Sequence, residues 1–402
     1  MSKFKVAHIA TIADSVLSLL LNQLLSIQEA GYEVVSISSP GAAVSAIETA
    51  GIRHIPVEMT RQMTPMADLA SLVRLYRVMR RERFTIVHTH NPKPGLLGQL
   101  AARMAGVPIV VNTVHGFFFH DQMSAQARRF YIALETIAAR CSDRILSQNQ
   151  EDLQTAIAKG ICRHDQIKYL GNGIDLDRFD PNRIRSDELQ QRRNAIGIPP
   201  AARVVGFVGR LAARRKGFLD FLAAGRELVR QGRDVRFLIV GEADLGKPDA
   251  VSPTMAETFG MAQYCHFLGR QPNQEMPAIY GLMDVLVLPS LFEGLPRAVM
   301  EAAMMGVPAV VTDVKGNREA VEHGQNGLLV PLGDVPKLVE AIVAILDDPA
   351  RLGSMRKMSR RIAIEHFDER RVFEKVLAEY AYLLRAKGLI VPEPRAIPRV
   401  VV

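Results

Sequence analysis

One pattern limits what this chain can fold into. Short apolar, β-branched runs alternate with amphipathic segments of helical length, and the alternation stops once and then restarts. Such alternation builds parallel sheets with helices on both faces. The first series predicts strands at Lys5 to Ala10, Glu33 to Ser38, Thr85 to Thr89, Ile109 to Val114 and Arg144 to Ser147. Helices are predicted between them at Ser15 to Ala30, Met66 to Glu82, Leu96 to Ala105 and Ala125 to Cys141. The stretch Asp175 to Pro200 is rich in charge, carries Asp180-Pro181 and closes on Pro199-Pro200, so it reads as a linker or hinge. The second series predicts strands at Val204 to Val208, Val235 to Val240, His266 to Leu268, Val285 to Leu288, Ala309 to Thr312 and Gly327 to Val330. Its helices are expected at Phe218 to Arg230, Asn273 to Leu282 and Pro296 to Met305, followed by helical patterns over Val335 to Leu346, Ala350 to His366 and Asp368 to Ala386. The expected fold class is α/β, with two Rossmann-like doubly wound domains facing across a cleft. They span 1–175 and 201–367, with 176–200 as the hinge and 368–402 as a helix packing back on the first domain plus a flexible tail. In such sheets ligands bind beyond the carboxyl ends of the strands.

Composition narrows the partners. The formal charge of +8 points to anions, and with 6% aromatic residues, no tryptophan and no Lys/Arg-plus-aromatic tract, nucleic acid ranks last among them and is not expected as a partner. Cys141, Cys162 and Cys265 are too scattered for a disulfide framework or a structural zinc site, as expected of a reducing cytoplasm. The most apolar stretch, Val16 to Ile27, is broken by Asn22 and Gln23 and falls short of a membrane span. Met1 to Lys5 shows no leader pattern, so the expected location is cytoplasmic.

Two motifs carry chemistry, and one near-motif does not. Gly241-x4-Gly246-Lys247-Pro248 nearly spells a phosphate-cradling loop, but Pro248 brings neither the hydroxyl nor the N–H that loop requires. The informative segment is Pro289-Ser-Leu-Phe-Glu293-Gly294-Leu295-Pro296, which leaves a strand, turns, and opens a helix carrying Glu301. A helix start offers free amides and a dipole to an anion. Glu301 lies five residues past Pro296, about 7.5 Å along the helix, which matches the reach from a phosphate to the ribose hydroxyls of one nucleotide. The alternative is a solvated Glu301 and a Glu293 favoured only by the dipole. A second cluster, Gly206-x2-Gly209-Arg210 and then Lys216-Gly217, places two cations beyond the first strand of the second domain. Two cations suit a diphosphate, although a solvated basic loop including Arg214 and Arg215 would look the same.

These residues resemble the GT-B glycosyltransferases, specifically the retaining group called family 4. The most specific part is Glu293-x7-Glu301 within residues 293–334, and HTHNPKPGLLGQLAARMAGVPIVVNTVHGF at 88–117 is similar to the bacterial envelope, capsule and exopolysaccharide branch. The resemblance implies transfer of a sugar from a UDP- or GDP-linked donor to an acceptor hydroxyl with retention, the first domain binding the acceptor and the second the nucleotide sugar. It implies that Arg210 and Lys216 beside Gly209 hold the diphosphate, and that Glu301 holds the ribose. Glu293, with Gly294 and Leu295, would meet the donor sugar, Leu268 and Arg270 would flank the base, and His115 would lie near the sugar. His115, Arg210, Lys216 and Glu293 are the expected catalytic set. His88, His90 and His120 lie nearby and are as readily structural as functional, and the Asn172-Gly173 turn receives a structural role. Many family members carry a glycine pair after the first strand, where this chain reads Thr11-Ile12-Ala13-Asp14-Ser15. No Asp-x-Asp metal motif stands at a strand end, so no metal and no cofactor beyond the co-substrate is expected.

The helix with Arg74, Arg77, Arg80, Arg81 and Arg83 among apolar residues suggests docking on anionic lipid at the inner face of the plasma membrane, where a lipid-linked glycan could be the acceptor. An ordinary helix with solvated arginines is the alternative. Two other functions fit the same scaffold: a nucleotide-sugar 2-epimerase, and a non-catalytic two-domain sugar-binding protein.

Overall fold

A computed structural model describes residues 4–60, 62, 64–90, 92–244, 246–247 and 249–392. Pro248, which decides against the phosphate loop, residues 1–3 of the amino terminus and 393–402 of the expected tail lie outside the described residues. The chain divides into two compact units, Met1–Gly171 with Arg371–Val402, and Asn172–Arg370.

The first unit is built on seven strands, β1 (Lys5–Ile12), β2 (Glu33–Ser39), β3 (Arg53–Pro56), β4 (Ile86–His90), β5 (Ile109–Val114), β6 (Arg144–Ser147) and β7 (Ile167–Tyr169). All pairs are parallel, in the order β3-β2-β1-β4-β5-β6-β7. The strand order reverses between β1 and β4, the position where a doubly wound sheet opens a crevice at its carboxyl edge. The strands β3 and β7 are additions to the sequence reading. Arg-His-Ile-Pro and Ile-Lys-Tyr are too short for a period-2 pattern to register. After β1 the chain enters helix at once: Ala13–Ser15, a π-helical turn at Val16–Leu20, then Leu21–Glu29. No loop separates strand from helix here, so this chain has no turn in which a glycine pair would serve. The helix Glu369–Ala386 buries Val372, Val376, Tyr380, Leu383 and Leu384 in the core of this unit.

The second unit holds β8 (Arg203–Val208), β9 (Val235–Val240), β10 (Cys265–Gly269), β11 (Val285–Leu288), β12 (Ala309–Thr312) and β13 (Gly327–Val330). Its order is β10-β9-β8-β11-β12-β13, again parallel, with the reversal between β8 and β11. Strands buried on both faces read as continuous apolar runs, which is why these boundaries are sharp in the sequence. The stretch 176–200 differs from the linker expected there. It contains the helix Ser186–Ala195, and Ile184, Leu189 and Ile196 pack against the second core. Its strongly polar composition hides the few apolar residues that anchor it.

Candidate active site

In the second unit every strand is parallel, so the loops that follow β10, β9, β8 and β11 leave from one edge. Neighbouring strands lie about 4.8 Å apart, so the ends of β10 and β11 are separated by about 14 Å, the span of an extended nucleoside diphosphate sugar. The predicted residues distribute along this edge. Leu268 and the exposed Arg270 stand at the end of β10, Gly209 and Arg210 at the end of β8, and Glu293, Gly294 and Leu295 after β11.

The loops after β8 and β11 are tied together by backbone. Leu291 N–H donates to the Arg215 carbonyl at 3.1 Å. Gly217, at φ +67°, caps the helix Phe218–Arg230, and a Cβ there would lie 1.9 Å from the Pro289 carbonyl oxygen. Only glycine permits this approach. The result is that Lys216 Nζ donates to Glu293 Oε1 at 2.5 Å, with side chains 17% and 9% exposed. The two sequence motifs therefore meet. An ammonium carries three donors, and one is spent on Glu293, so Lys216 keeps capacity for a phosphate oxygen. Arg210 pairs more loosely, 3.5 Å from Asp244, and stays 40% exposed.

The helix Arg297–Met304 starts after Pro296, whose backbone is extended and which supplies no side-chain cap. Its first amides remain available to an acceptor from outside the helix. Glu301 is not the solvated residue of the alternative reading. Its side chain is 13% exposed, accepts from Tyr280 Oη at 2.9 Å and contacts Arg297 Nε at 3.4 Å. Burial raises its pKa, opposed by the Arg297 charge and the Tyr280 hydrogen bond. The Asn172-Gly173 turn braces the site: Asn172 Nδ2 donates to the Leu295 carbonyl at 3.2 Å, and Gly173 lies against the Glu369 backbone.

Arg215, set aside in the sequence as solvated basic loop, is the residue that pattern reading misses. Its guanidinium lies 4.9 Å from the Phe292 ring centroid, and its Nε is buried with no hydrogen-bond partner among the described residues. Burial lowers its pKa, with the Arg210 charge adding to the effect. Arg214 beside it is exposed. The distinguishing signal was the aromatic Phe292 next to Glu293, which the charges alone did not flag.

In the first unit, His115 follows β5 at the carboxyl edge. Its Nε2 is 3.0 Å from His90 Nδ1. Packing pushes its pKa down to about 4, against a smaller upward pull from its side-chain hydrogen bond with Gln148, and the residue as a whole is half-buried. His120, further along the same loop, is half-buried, and burial lowers its pKa against the pull of Asp121.

Comparison with known proteins bears on both units. The family model described as glycosyl transferases group 1 matches residues 202–348, and the glycosyl transferase 4-like domain matches residues 20–173. The chain is 30% identical over 372 residues to a UDP-Gal:alpha-D-GlcNAc-diphosphoundecaprenol alpha-1,3-galactosyltransferase of Escherichia coli, covering 91% of this chain and 94% of that one. The chain belongs to this glycosyltransferase family. The glycosyltransferase is also 24% identical to the capsular polysaccharide biosynthesis glycosyltransferase CapM of Staphylococcus aureus, over 96% of its own length and 99% of CapM. Its fold matches the crystal structure of Anabaena HepE in complex with UDP and glucose, with a TM-score of 0.80, 19% identity, and coverage of 94% of this chain and 100% of HepE. It is an enzyme with two Rossmann-like domains of the GT-B kind, and not a non-catalytic binding protein. Among its described residues, no helix is long and apolar enough to cross a membrane.

Proposed function

We propose that this glycosyltransferase moves a sugar from a UDP-linked donor to a hydroxyl of a lipid-linked glycan, with retention, in the synthesis of a bacterial cell-surface polysaccharide. The observation that carries the reading is the enclosed Lys216–Glu293 pair held beside the uncapped start of the helix that bears Glu301. In this reading Arg210 and Lys216 bind the diphosphate, Glu301 the ribose, Leu268 and Arg270 the base. Glu293, with the Gly294 and Leu295 backbone, takes the sugar hydroxyls, and His115 serves the sugar ring. Uridine is favoured over guanosine because the Escherichia coli relative is named for UDP-Gal and HepE was crystallised with UDP. The lipid-linked acceptor is favoured by that same relative's name. It would act in the cytoplasm, on acceptors at the inner membrane face.

Without a protein nucleophile, retention follows from attack on the face that the leaving diphosphate vacates, with a donor phosphate oxygen taking the acceptor proton. The protein then positions reactants and stabilises charge on the departing nucleotide. Lys216 and Arg210 supply that charge, so no metal is required. The test is incubation with UDP-sugars and a diphospho-lipid sugar acceptor in excess EDTA, with the new linkage read by NMR. Transfer with the donor's anomeric configuration is expected. An inverted product, or activity lost in EDTA and restored by Mn²⁺, contradicts the reading. Epimerised donor formed without acceptor would favour the 2-epimerase instead.

A further inference from the structure

Behind His115 the first unit buries a continuous hydrogen-bonded chain of side chains. His88 and His90 project from one face of β4, and His8 lies opposite His88 on β1. All three are buried, as are Thr113 on β5 and Tyr380 on the helix Glu369–Ala386. The links run from Thr113 Oγ1 to His88 Nε2 (2.7 Å), His88 Nδ1 to Tyr380 Oη (2.6 Å) and Tyr380 Oη to His8 Nε2 (3.1 Å). They continue from His8 Nδ1 to His90 Nε2 (2.9 Å) and from His90 Nδ1 to His115 Nε2 (3.0 Å). The rings of His88 and His90 stack at 4.5 Å, and those of His8 and His90 at 5.1 Å. Burial lowers the His8 pKa to about 3 and pushes those of His88 and His90 well below the usual value, so all are neutral.

Neutral imidazole has one N–H and one lone pair, and a phenol has one O–H. Each link needs one proton, and a Tyr380 oxygen that accepted from both neighbours would leave its own O–H buried without an acceptor, so the direction of the Thr113 link fixes all five. Thr113 decides the direction, because among the described residues His88 Nε2 is the one hydrogen-bond partner of its buried hydroxyl. If Thr113 accepted, its own O–H would be buried without an acceptor, which is costly. Thr113 therefore donates, and the order runs through His88 Nδ1–H, Tyr380 O–H, His8 Nδ1–H and His90 Nδ1–H to a lone pair on His115 Nε2.

We infer that Thr113, His88, Tyr380, His8 and His90 are positioning residues that lock His115 in the Nδ1–H tautomer. His115 then carries its proton on the nitrogen turned away from His90, the donor of its side-chain hydrogen bond with Gln148, which a sugar hydroxyl would take over on binding, and it cannot serve as a base through that nitrogen. This rests on the reading that His115 serves the sugar. The same geometry bears on metals: nitrogens of His8, His88 and His90 lie within 4.8 Å of one another, but a cation would need lone pairs that the chain already uses.

Two-bond ¹H–¹⁵N correlation on histidine-labelled full-length protein, with the His115 signals identified by their loss in His115→Gln, reads the tautomer directly. The wild type and Thr113→Ser should show Nδ1–H at His115. Thr113→Val and Tyr380→Phe should shift it toward Nε2–H and lower kcat about tenfold, the scale of one hydrogen bond, at unchanged donor KM. Nε2–H in the wild type, or an unchanged tautomer in both Thr113→Val and Tyr380→Phe, overturns the inference. So does uptake of one equivalent of Co²⁺ that His8→Phe abolishes. Full activity in His115→Ala would instead remove the role of His115 in transfer, and the tautomer result would still decide the chain.

Discussion

In the proposed reading Lys216 would carry the heaviest chemical duty in the second unit, since its ammonium is partly enclosed and paired with Glu293. A charge already desolvated and aimed costs little to reorganise when a leaving group becomes negative. Lys216→Ala should therefore lower kcat by about 10² or more with native far-UV circular dichroism. Turnover near that of the wild type in steady-state assays would contradict the role. At this scale the sequence was informative where chemistry follows spacing: Glu293 and Glu301 stand eight apart across a strand-turn-helix, and that spacing alone separated them from ordinary surface acids. It was uninformative for Arg215. Arg214 and Arg215 look alike in sequence, and only the Phe292 ring and the Leu291 backbone bond show which of the two is held.

Among elements, the junction between the loops after β8 and β11 decides whether the site exists. Gly217 has a positive φ and its α-carbon faces the Pro289 carbonyl, whereas a Cβ at Gly232, where φ is +73°, would meet nothing within 4 Å. Gly217→Ala should cost at least about 2 kcal/mol in urea unfolding and weaken nucleotide binding, while Gly232→Ala costs about 1 kcal/mol from backbone conformation alone. Equal losses at the two positions would show that the close approach does not matter. The alternation of runs made β1, β2, β4, β5 and β6 and all six strands of the second sheet readable, because buried parallel strands leave unbroken apolar segments. The strands β3 and β7 escaped because three or four residues carry no period. The helix at Ser186–Ala195 escaped because Leu189 is its chief apolar contact, against Gly281.

For the whole molecule, the proposed lipid-linked acceptor would be met at an anionic membrane surface, for which the charge of +8 and one exposed helix face are suited. On the helix Pro65–Glu82, Ser71, Leu75 and Met79 face the core, while Met66, Leu69 and Val73 are 83%, 57% and 38% exposed. Exposed Arg77 and Arg80 continue that stripe at helical spacing. Full-length protein should sediment with phosphatidylglycerol vesicles in low salt and be released by about 0.5 M NaCl, as screening requires. No sedimentation at low salt would leave the stripe as ordinary surface. The claim on which everything else depends is that the carboxyl edge of the second sheet binds a nucleoside diphosphate through Arg210 and Lys216. Calorimetric titration of the intact chain with UDP and with uridine measures this directly. UDP should bind at least about tenfold tighter than uridine, and the difference should vanish in the double variant Arg210→Ala/Lys216→Ala. Equal affinities for UDP and uridine, or an advantage that survives the double substitution, would contradict it.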